Sequence, residues 1–315
     1  MLARAAGLIG GVLLDRAFGD PRRWHPVAGF GLAAGRLEQR VYSPTVRAGA
    51  GYAALATGVP VAAGVLAQRL TRRSPVARFA LTAVTTWAVL GGRSLRREAA
   101  VMSTALVSGD VPAARARLPH LAGRDPSTLD SAELARATVE SVAENTSDAV
   151  VAPLWWGAVA GLPGLLGYRA VNTLDAMVGH RSPRYARFGT ASARLDDAAN
   201  LLPARLTALL TAAVAPVVGG RPADALRSWW RYGHRHPSPN SGQCEAAAAG
   251  ALGVRLGGRN VYAGRVEDRP VLGAEGRPPE VADIHRAARL STMVSVGALG
   301  VALAVRIRRA RAGSR

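Results

Sequence analysis

The chain has one cysteine, no lysine, few aromatic residues and a shortage of acids. The single Cys244 excludes an intramolecular disulfide framework and a multi-cysteine metal site. All 40 basic residues are arginine, a uniformity that reads as compositional bias rather than phosphate recognition. Against them stand only 21 acids, for a formal charge of +19 over 315 residues. A basic surplus of this kind suits nucleic acid, anionic lipid or an anionic substrate. The arginines are spread through every polar segment, and no zinc-finger, helix-turn-helix or RNA-binding signature accompanies them, so nucleic acid is not expected as a partner. The Gly-x-Ser-x-Gly elbow, the His-Glu-x-x-His pattern and the P-loop are also missing, which disfavours a serine-triad hydrolase, a zincin and a Walker-type nucleotide site. There is no internal repeat and no low-complexity linker, so residues 1–315 are expected to form a single domain.

What is present is apolar mass built from small residues. Hydrophobic residues make up 49% of the chain while aromatics make up 5%. Ala48–Gln68 carries no charge and is long enough to cross a bilayer. Phe79–Gly92, Ala149–Tyr168, Leu206–Gly220 and Leu290–Val305 follow, the last closed by a run of arginines. Met1–Leu14 lacks a following cleavage site and reads as a retained helix. Gly161-Leu-Pro-Gly164 sits inside the third internal stretch and predicts a discontinuous helix there. The expected fold is therefore all-α, a multi-pass cell-membrane protein with about five to six membrane helices, one of them broken, and polar connecting loops.

Four polar clusters interrupt this background. Glu140-Ser-Val-Ala-Glu-Asn-Thr-Ser-Asp148 spaces Glu140, Glu144 and Asp148 at i, i+4 and i+8, one stripe of a helix. Like charges so placed repel, which points either to a compensating cation, a metal ion or an arginine from elsewhere in the fold, or to a solvated acidic helix end. A second cluster runs from Asn172-Thr-Leu-Asp175 through His180, Arg181 and Tyr185 to Arg194-Leu-Asp-Asp-Ala-Ala-Asn200. Ionisable residues at membrane depth cost roughly 2.5–3.5 kcal/mol each, which makes Asp175 a functional candidate; pairing with Arg169 or Arg181 is the structural alternative. The oxygen donors Asp196, Asp197 and Asn200 suit Mg²⁺ with substrate phosphates. The third is the helix exit from Asp15 through Asp20 to His25-Pro26, and the fourth is His236-Pro-Ser-Pro-Asn-Ser-Gly-Gln-Cys-Glu245. Glu140, Glu144, Asp148, Asp175, Asp196 and Asp197 are expected to converge in one Mg²⁺–phosphate cavity.

These motifs, with Ala193–Asn200, Ser238–Gly242 and Gly250–Gly258 in the same order over roughly residues 8–305, resemble the CobD/CbiB family of adenosylcobinamide-phosphate synthases. The fourth cluster departs from the family by reading Gly242-Gln-Cys-Glu245 where proline usually precedes the glutamate. The resemblance implies a membrane enzyme of cobalamin biosynthesis. Such an enzyme joins a carboxyl group of adenosylcobyric acid to (R)-1-amino-2-propanol or its phosphate, with ATP and Mg²⁺ to activate the carboxylate. Catalysis is then expected of Glu140, Glu144, Asp175, Asp196 and Asp197, and metal binding of Glu144, Asp148, Asp196 and Asp197. Substrate and ATP contacts are expected of Asp15, Asp20, His25, Asn145, Asn172, Arg181, Tyr185, Arg194, Asn200, Ser238, Asn240 and Glu245. Partners would be the two small-molecule substrates, the lipid bilayer and other corrinoid-assembly enzymes. A membrane carrier with a broken-helix site at Gly161–Gly164 and a polar centre at Asn172 and Asp175 is the alternative.

Overall fold

The structure, a computed structural model, describes residues 2–20, 25–180, 182–262 and 265–312. The first helices are α1 (Leu2–Phe18), α2 (Pro26–Val41), α3 (Val46–Leu70) and α4 (Pro75–Val89). They are followed by α5 (Gly92–Val107), α6 (Val111–Arg117), α7 (Ser131–Thr146), α8 (Ala152–Ala160) and α9 (Leu162–Leu174). The last are α10 (Thr190–Val214), α11 (Pro222–Tyr232), α12 (Ser241–Leu252) and α13 (Val281–Ala312). Two π-helical turns, Ser147–Val151 and Asp175–Gly179, carry the motif acids Asp148 and Asp175.

Local chemistry sets the helix starts. Thr45 and Ser74 cap α3 and α4 through their hydroxyls, with Pro75 opening α4. Asp130 and Glu133 form a reciprocal capping box at α7, the helix that carries the acidic stripe. One element departs from the all-α expectation. Leu256–Tyr262 (β1) and Arg265–Leu272 (β2) pair antiparallel, with a register irregularity between Leu256 and Gly258. Gly257 and Gly258 both have positive φ, so the chain bulges at the start of the hairpin in a conformation that favours glycine. The all-α reading holds for the bulk of the chain but not here, because an arginine- and glycine-rich strand lacks the alternating apolar pattern.

Among the described residues three helices are long and apolar enough to cross a membrane: Val46–Arg73, Thr190–Val218 and Val281–Arg309, each taken with its terminal extension where it has one. They coincide with the first, fourth and fifth internal apolar stretches. At 17 and 15 residues, α1 and α4 fall short of that length. The stretch Ala149–Tyr168 is not one span. Gly161, at φ 72°, ends α8, and α9 turns back along it, so that the Gly157 backbone faces Leu165 and Gly164 faces the Trp156 carbonyl. The expected break is there.

The chain forms two compact units, interleaved in sequence rather than joined by a linker: Met1–Gly91, Ala152–Asn200 and Leu299–Arg315 in the first, Gly92–Val151 and Leu201–Ala298 in the second. In the first unit α1 packs on α4 through glycine. A Cβ on Gly7 would lie 2.5 Å from the Thr82 Cβ, and one on Gly11 2.3 Å from the Thr86 Cβ. The i, i+4 glycines thus let two backbones approach over a pair of threonines. Gly64 of α3 similarly meets Pro163 of α9, and Phe188 stacks between Tyr42 and Tyr52 with both ring centroids at 5.2 Å. In the second unit Leu134, Met102, Leu118, Leu252 and Ile284 centre a core shared by α5, α7, α12 and α13.

Gly11→Ala should therefore cost about 1–3 kcal/mol as overpacking. Gly58→Ala, where nothing lies within 4 Å, should be neutral or stabilising. Thermal unfolding of both variants in the same micelles checks the difference.

Candidate functional site

Two polar centres stand out, one in each unit. In the second unit the capped α7 projects Arg136, Glu140 and Glu144 from one face. Glu140 is buried and takes three donors: Arg124 Nη2 at 2.5 Å, Arg136 Nη1 at 3.3 Å and the Gly257 backbone N–H at 2.7 Å. Arg136 also donates to the carbonyls of Gly257 and Arg259, which ties α7 to the hairpin. The first acid of the stripe is thus compensated by arginine, the structural one of the two options.

Glu144, one turn on, has a different neighbour. Its Oε1 accepts from the Ser241 hydroxyl at 2.5 Å, across 97 residues of sequence. Ser241 opens α12, where the loop folds on itself: Ser238 Oγ accepts from the backbone N–H groups of Asn240 and Ser241, and His236 Nδ1 accepts from that of Ser238 at 3.1 Å. His236 Nε2 lies 3.9 Å from Glu245 Oε1 and 3.3 Å from Arg269 Nη1, a guanidinium nitrogen that only donates. Burial, then the Arg269 charge, hold His236 below its ordinary value, so the imidazole is neutral at pH 7. Burial, then the charges of Glu140 and Glu144, push the Glu245 carboxyl well above the usual carboxylate range. Cys244 is buried among the same acids, its thiol pushed up first by burial and then by Asp148. Asn145 donates to the Ser141 carbonyl and hydroxyl, and Asn240 accepts from Arg205 at 3.3 Å. Gly242 lets α12 start tight against His236, where a Cβ would lie 2.4 Å from the histidine's own.

The Glu245 shift has a measurable sign. With its folded pKa raised above the ordinary value near 4.3 for glutamate, the folded state holds a proton that the unfolded state loses first. Its contribution is therefore full at low pH and declines as pH rises from about 4.3 through the folded value. Glu245→Gln keeps the neutral form's size and removes that decline. The variant should gain stability relative to the parent between pH 5 and pH 8, read as the slope of melting temperature against pH.

In the first unit Asp196 of α10 is held between two asparagines. Asn172 Nδ2 donates to Oδ1 at 3.3 Å and Asn200 Nδ2 to Oδ2 at 3.0 Å, while Tyr168 donates to Asn200 at 2.9 Å. Arg169 Nη1 donates to Asn172 at 3.4 Å. Asp175 lies in its π turn against Gly179, where a Cβ would meet its carboxylate. Asp197 is half-buried beside Asp196, and Arg194 is exposed. Tyr185 donates to Glu38 at 2.9 Å; Arg184 pairs with the same carboxylate at 3.0 Å and stacks over Tyr42 at 4.1 Å. Asp15 is buried. Asp20 lies 3.9 Å from His25, whose Nδ1 caps α2. Arg181 lies outside the described residues.

The structure thus brings the Glu140–Asp148 motif to the Ser238–Glu245 and Gly250–Gly258 motifs in one unit, and the Asn172 and Asp196–Asn200 motifs to each other in the other. The six acids expected to converge fall three to each unit. Among the described residues no group of three or more His, Cys, Asp and Glu is placed to hold a metal ion by itself. Arg124, Arg136, Arg269 and Glu38 were absent from the sequence-based site. Arg124 and Arg136 lie where the motifs are weakest, and their partners become visible only in three dimensions.

A family model for the CobD/Cbib protein matches residues 8–291. The chain belongs to this family. A cobalamin biosynthesis protein CobD from Mycobacterium tuberculosis is 54% identical over 307 residues, covering 97% of both chains. CobD proteins from Geobacter metallireducens and Rhodobacter capsulatus are 45% and 41% identical over 284 and 303 residues. These alignments cover 88% and 93% of this chain, and 89% and 94% of the relatives. No solved structure matches. The motifs that meet in each unit lie within the span matched by the CobD/Cbib family. The three apolar helices agree with a membrane protein.

Proposed function

We propose that this chain is an enzyme of cobalamin biosynthesis that makes an amide. It joins a carboxyl group of adenosylcobyric acid to (R)-1-amino-2-propanol or its O-phosphate in an ATP-dependent reaction at a multi-pass cell-membrane site. The observation that carries this reading is the meeting of Glu144 with Ser241. Two motifs far apart in sequence share one hydrogen bond beside the buried Glu245, whose carboxyl burial pushes well above the usual carboxylate range.

An amide does not form from a free carboxylate without activation. Phosphoryl transfer from ATP to the corrinoid carboxylate gives an acyl phosphate, and the amine then displaces phosphate. The protein's part is positioning and charge neutralisation. Mg²⁺ typically takes one or two carboxylates, waters and phosphate oxygens, so a ready-made cage is not required. The hard oxygens of Glu144 and Asp148 would fit that demand in the second unit, and those of Asp196 and Asp197 in the first; the ion would supply neutralisation of phosphate charge there. Glu140 is committed to Arg124 and Arg136 and serves as scaffold. Burial favours the protonated form of Glu245, which would leave one fewer negative charge next to an anionic substrate. Asn172, Asn200 and Tyr168 orient Asp196, and the Glu38–Arg184–Tyr185 group offers an aromatic and cationic surface.

The broken segment at Gly161 is also what a carrier uses, and it supports the second reading. Detergent-solubilised protein given ATP, Mg²⁺, adenosylcobyric acid and the amine decides between them. Product with the mass of the amide supports the synthase; uptake into vesicles with no turnover in micelles supports the carrier and overturns it.

A further inference from the structure

Helix α11 has an outer face that the proposed reaction does not use. Ala223, Leu226, Arg227, Trp230, Arg231 and His234 are exposed at i, i+3, i+4, i+7, i+8 and i+11, one stripe of a helical surface. Trp230 is 88% exposed and Leu226 41%, beside a surface hollow of about 680 Å³. The opposite face is fixed: Ala225, Ser228 and Tyr232 are buried, and Gly250 of α12 packs against Asp224, Ala225 and Ser228. A large indole held outward on a rigid helix has no structural use within this unit.

Position says what covers it. The apolar span that begins at Thr190 ends at Val218, and α11 opens at Pro222 after three residues. No charge occurs between Arg205 and Arg221, so Arg221 is the first charged residue as the chain leaves the apolar segment. Gly219, at φ 75°, and Gly220, pressed against the Ala251 carbonyl, turn the chain at that point. A helix beginning there starts at the boundary between hydrocarbon and water. Arg227 and Arg231 lie within the stripe beside Leu226 and Trp230, and Arg221 and Arg235 lie near its ends, against the two acids Asp224 and Glu275 that pair with Arg227 and Arg231 at 2.8 and 2.7 Å. Tryptophan favours the headgroup region, where its body is buried and its N–H stays wet, and arginines there attract anionic lipid.

We propose that α11 is an interfacial helix, with Trp230 and Leu226 inserted among the acyl-chain ends and its arginines on anionic headgroups of the bilayer that the neighbouring span crosses. It anchors the start of α12, and with it Ser241, at a fixed depth.

The test uses the full chain in phosphatidylcholine vesicles with and without phosphatidylglycerol. A spin label is attached through Ala223→Cys, which leaves Trp230 in place; Cys244 is buried and does not compete. Collision with dissolved oxygen and with a water-soluble nickel chelate is compared with that of a label placed by Thr128→Cys in an exposed loop. The expected result is oxygen access above nickel access at 223, deeper with phosphatidylglycerol, and loss of that increment on Arg227→Gln combined with Arg231→Gln. Nickel access equal to that at 128 in both vesicles overturns the proposal. So does a depth that ignores phosphatidylglycerol, and so does shielding from both reagents in vesicles and micelles alike, which identifies a protein partner instead.

Discussion

Glu144→Gln should lower synthase turnover by about a hundredfold or more while leaving the fold intact. Glutamine keeps an oxygen for the Ser241 hydroxyl, which is the hydrogen bond Glu144 makes across to α12. What it loses is one negative charge. If that charge holds Mg²⁺ against ATP, its removal forfeits several kcal/mol of charge stabilisation, and each 1.36 kcal/mol is a factor of about ten in rate. Asp197→Asn should act in the same direction through its own unit. Amide formation measured across a Mg²⁺ titration separates lost affinity from lost chemistry, because excess Mg²⁺ should partly restore a variant that has only lost metal. Unfolding in the same micelles should change by no more than about 0.5 kcal/mol for either substitution. Full activity of both variants at low Mg²⁺ would show that neither carboxylate is a metal ligand.

The three helices long and apolar enough to cross a membrane, and the break at Gly161, were legible because they rest on local chemistry. An uncharged run of twenty residues and a Gly-Leu-Pro-Gly interruption each restrict the backbone wherever the chain goes. Motif membership was legible too, since Glu144, Ser238, Asn172 and Asp196 could be named before their neighbours were known, though Ser241, the partner of Glu144, was not among the candidates. Other features were not local. Arg124 lies in the least motif-like part of the chain, yet it reaches Glu140 across sixteen residues. Gly257 donates to the same carboxylate from a hairpin whose strands have no alternating pattern. Ala149–Tyr168 shows the difference, an apolar stretch of span length that reverses at Gly161. Periodicity measures how apolar a segment is, whereas a positive-φ glycine decides where it reverses. The sequence posed a metal ion or an arginine as the stripe's compensation, and the fold applies the arginine to its first member.

That division makes Glu140 and Glu144, one turn apart, opposite in their expected behaviour. Arg124 and Glu140 are both about 95% buried, with side-chain exposures of 4% and 5%. Removing one partner of such a pair leaves a charge in low dielectric and typically costs 3–5 kcal/mol, whereas replacing both is often close to neutral. Glu140→Gln retains an acceptor for the Gly257 N–H but leaves Arg124 without its counter-charge, so a loss of about 3 kcal/mol is expected, near the low end of that range. Adding Arg124→Met removes the stranded cation, and the double variant should recover at least half of the loss. Arg136 stays satisfied in both, because it also donates to the Gly257 and Arg259 carbonyls. The readouts are unfolding free energy in micelles and amide formation at a temperature where each variant is folded. A scaffold role requires the double variant to regain activity together with stability. A double variant that is stable yet inactive would move Glu140 from the scaffold into the chemistry, leaving Glu144 as its neighbour in the reaction rather than its contrast.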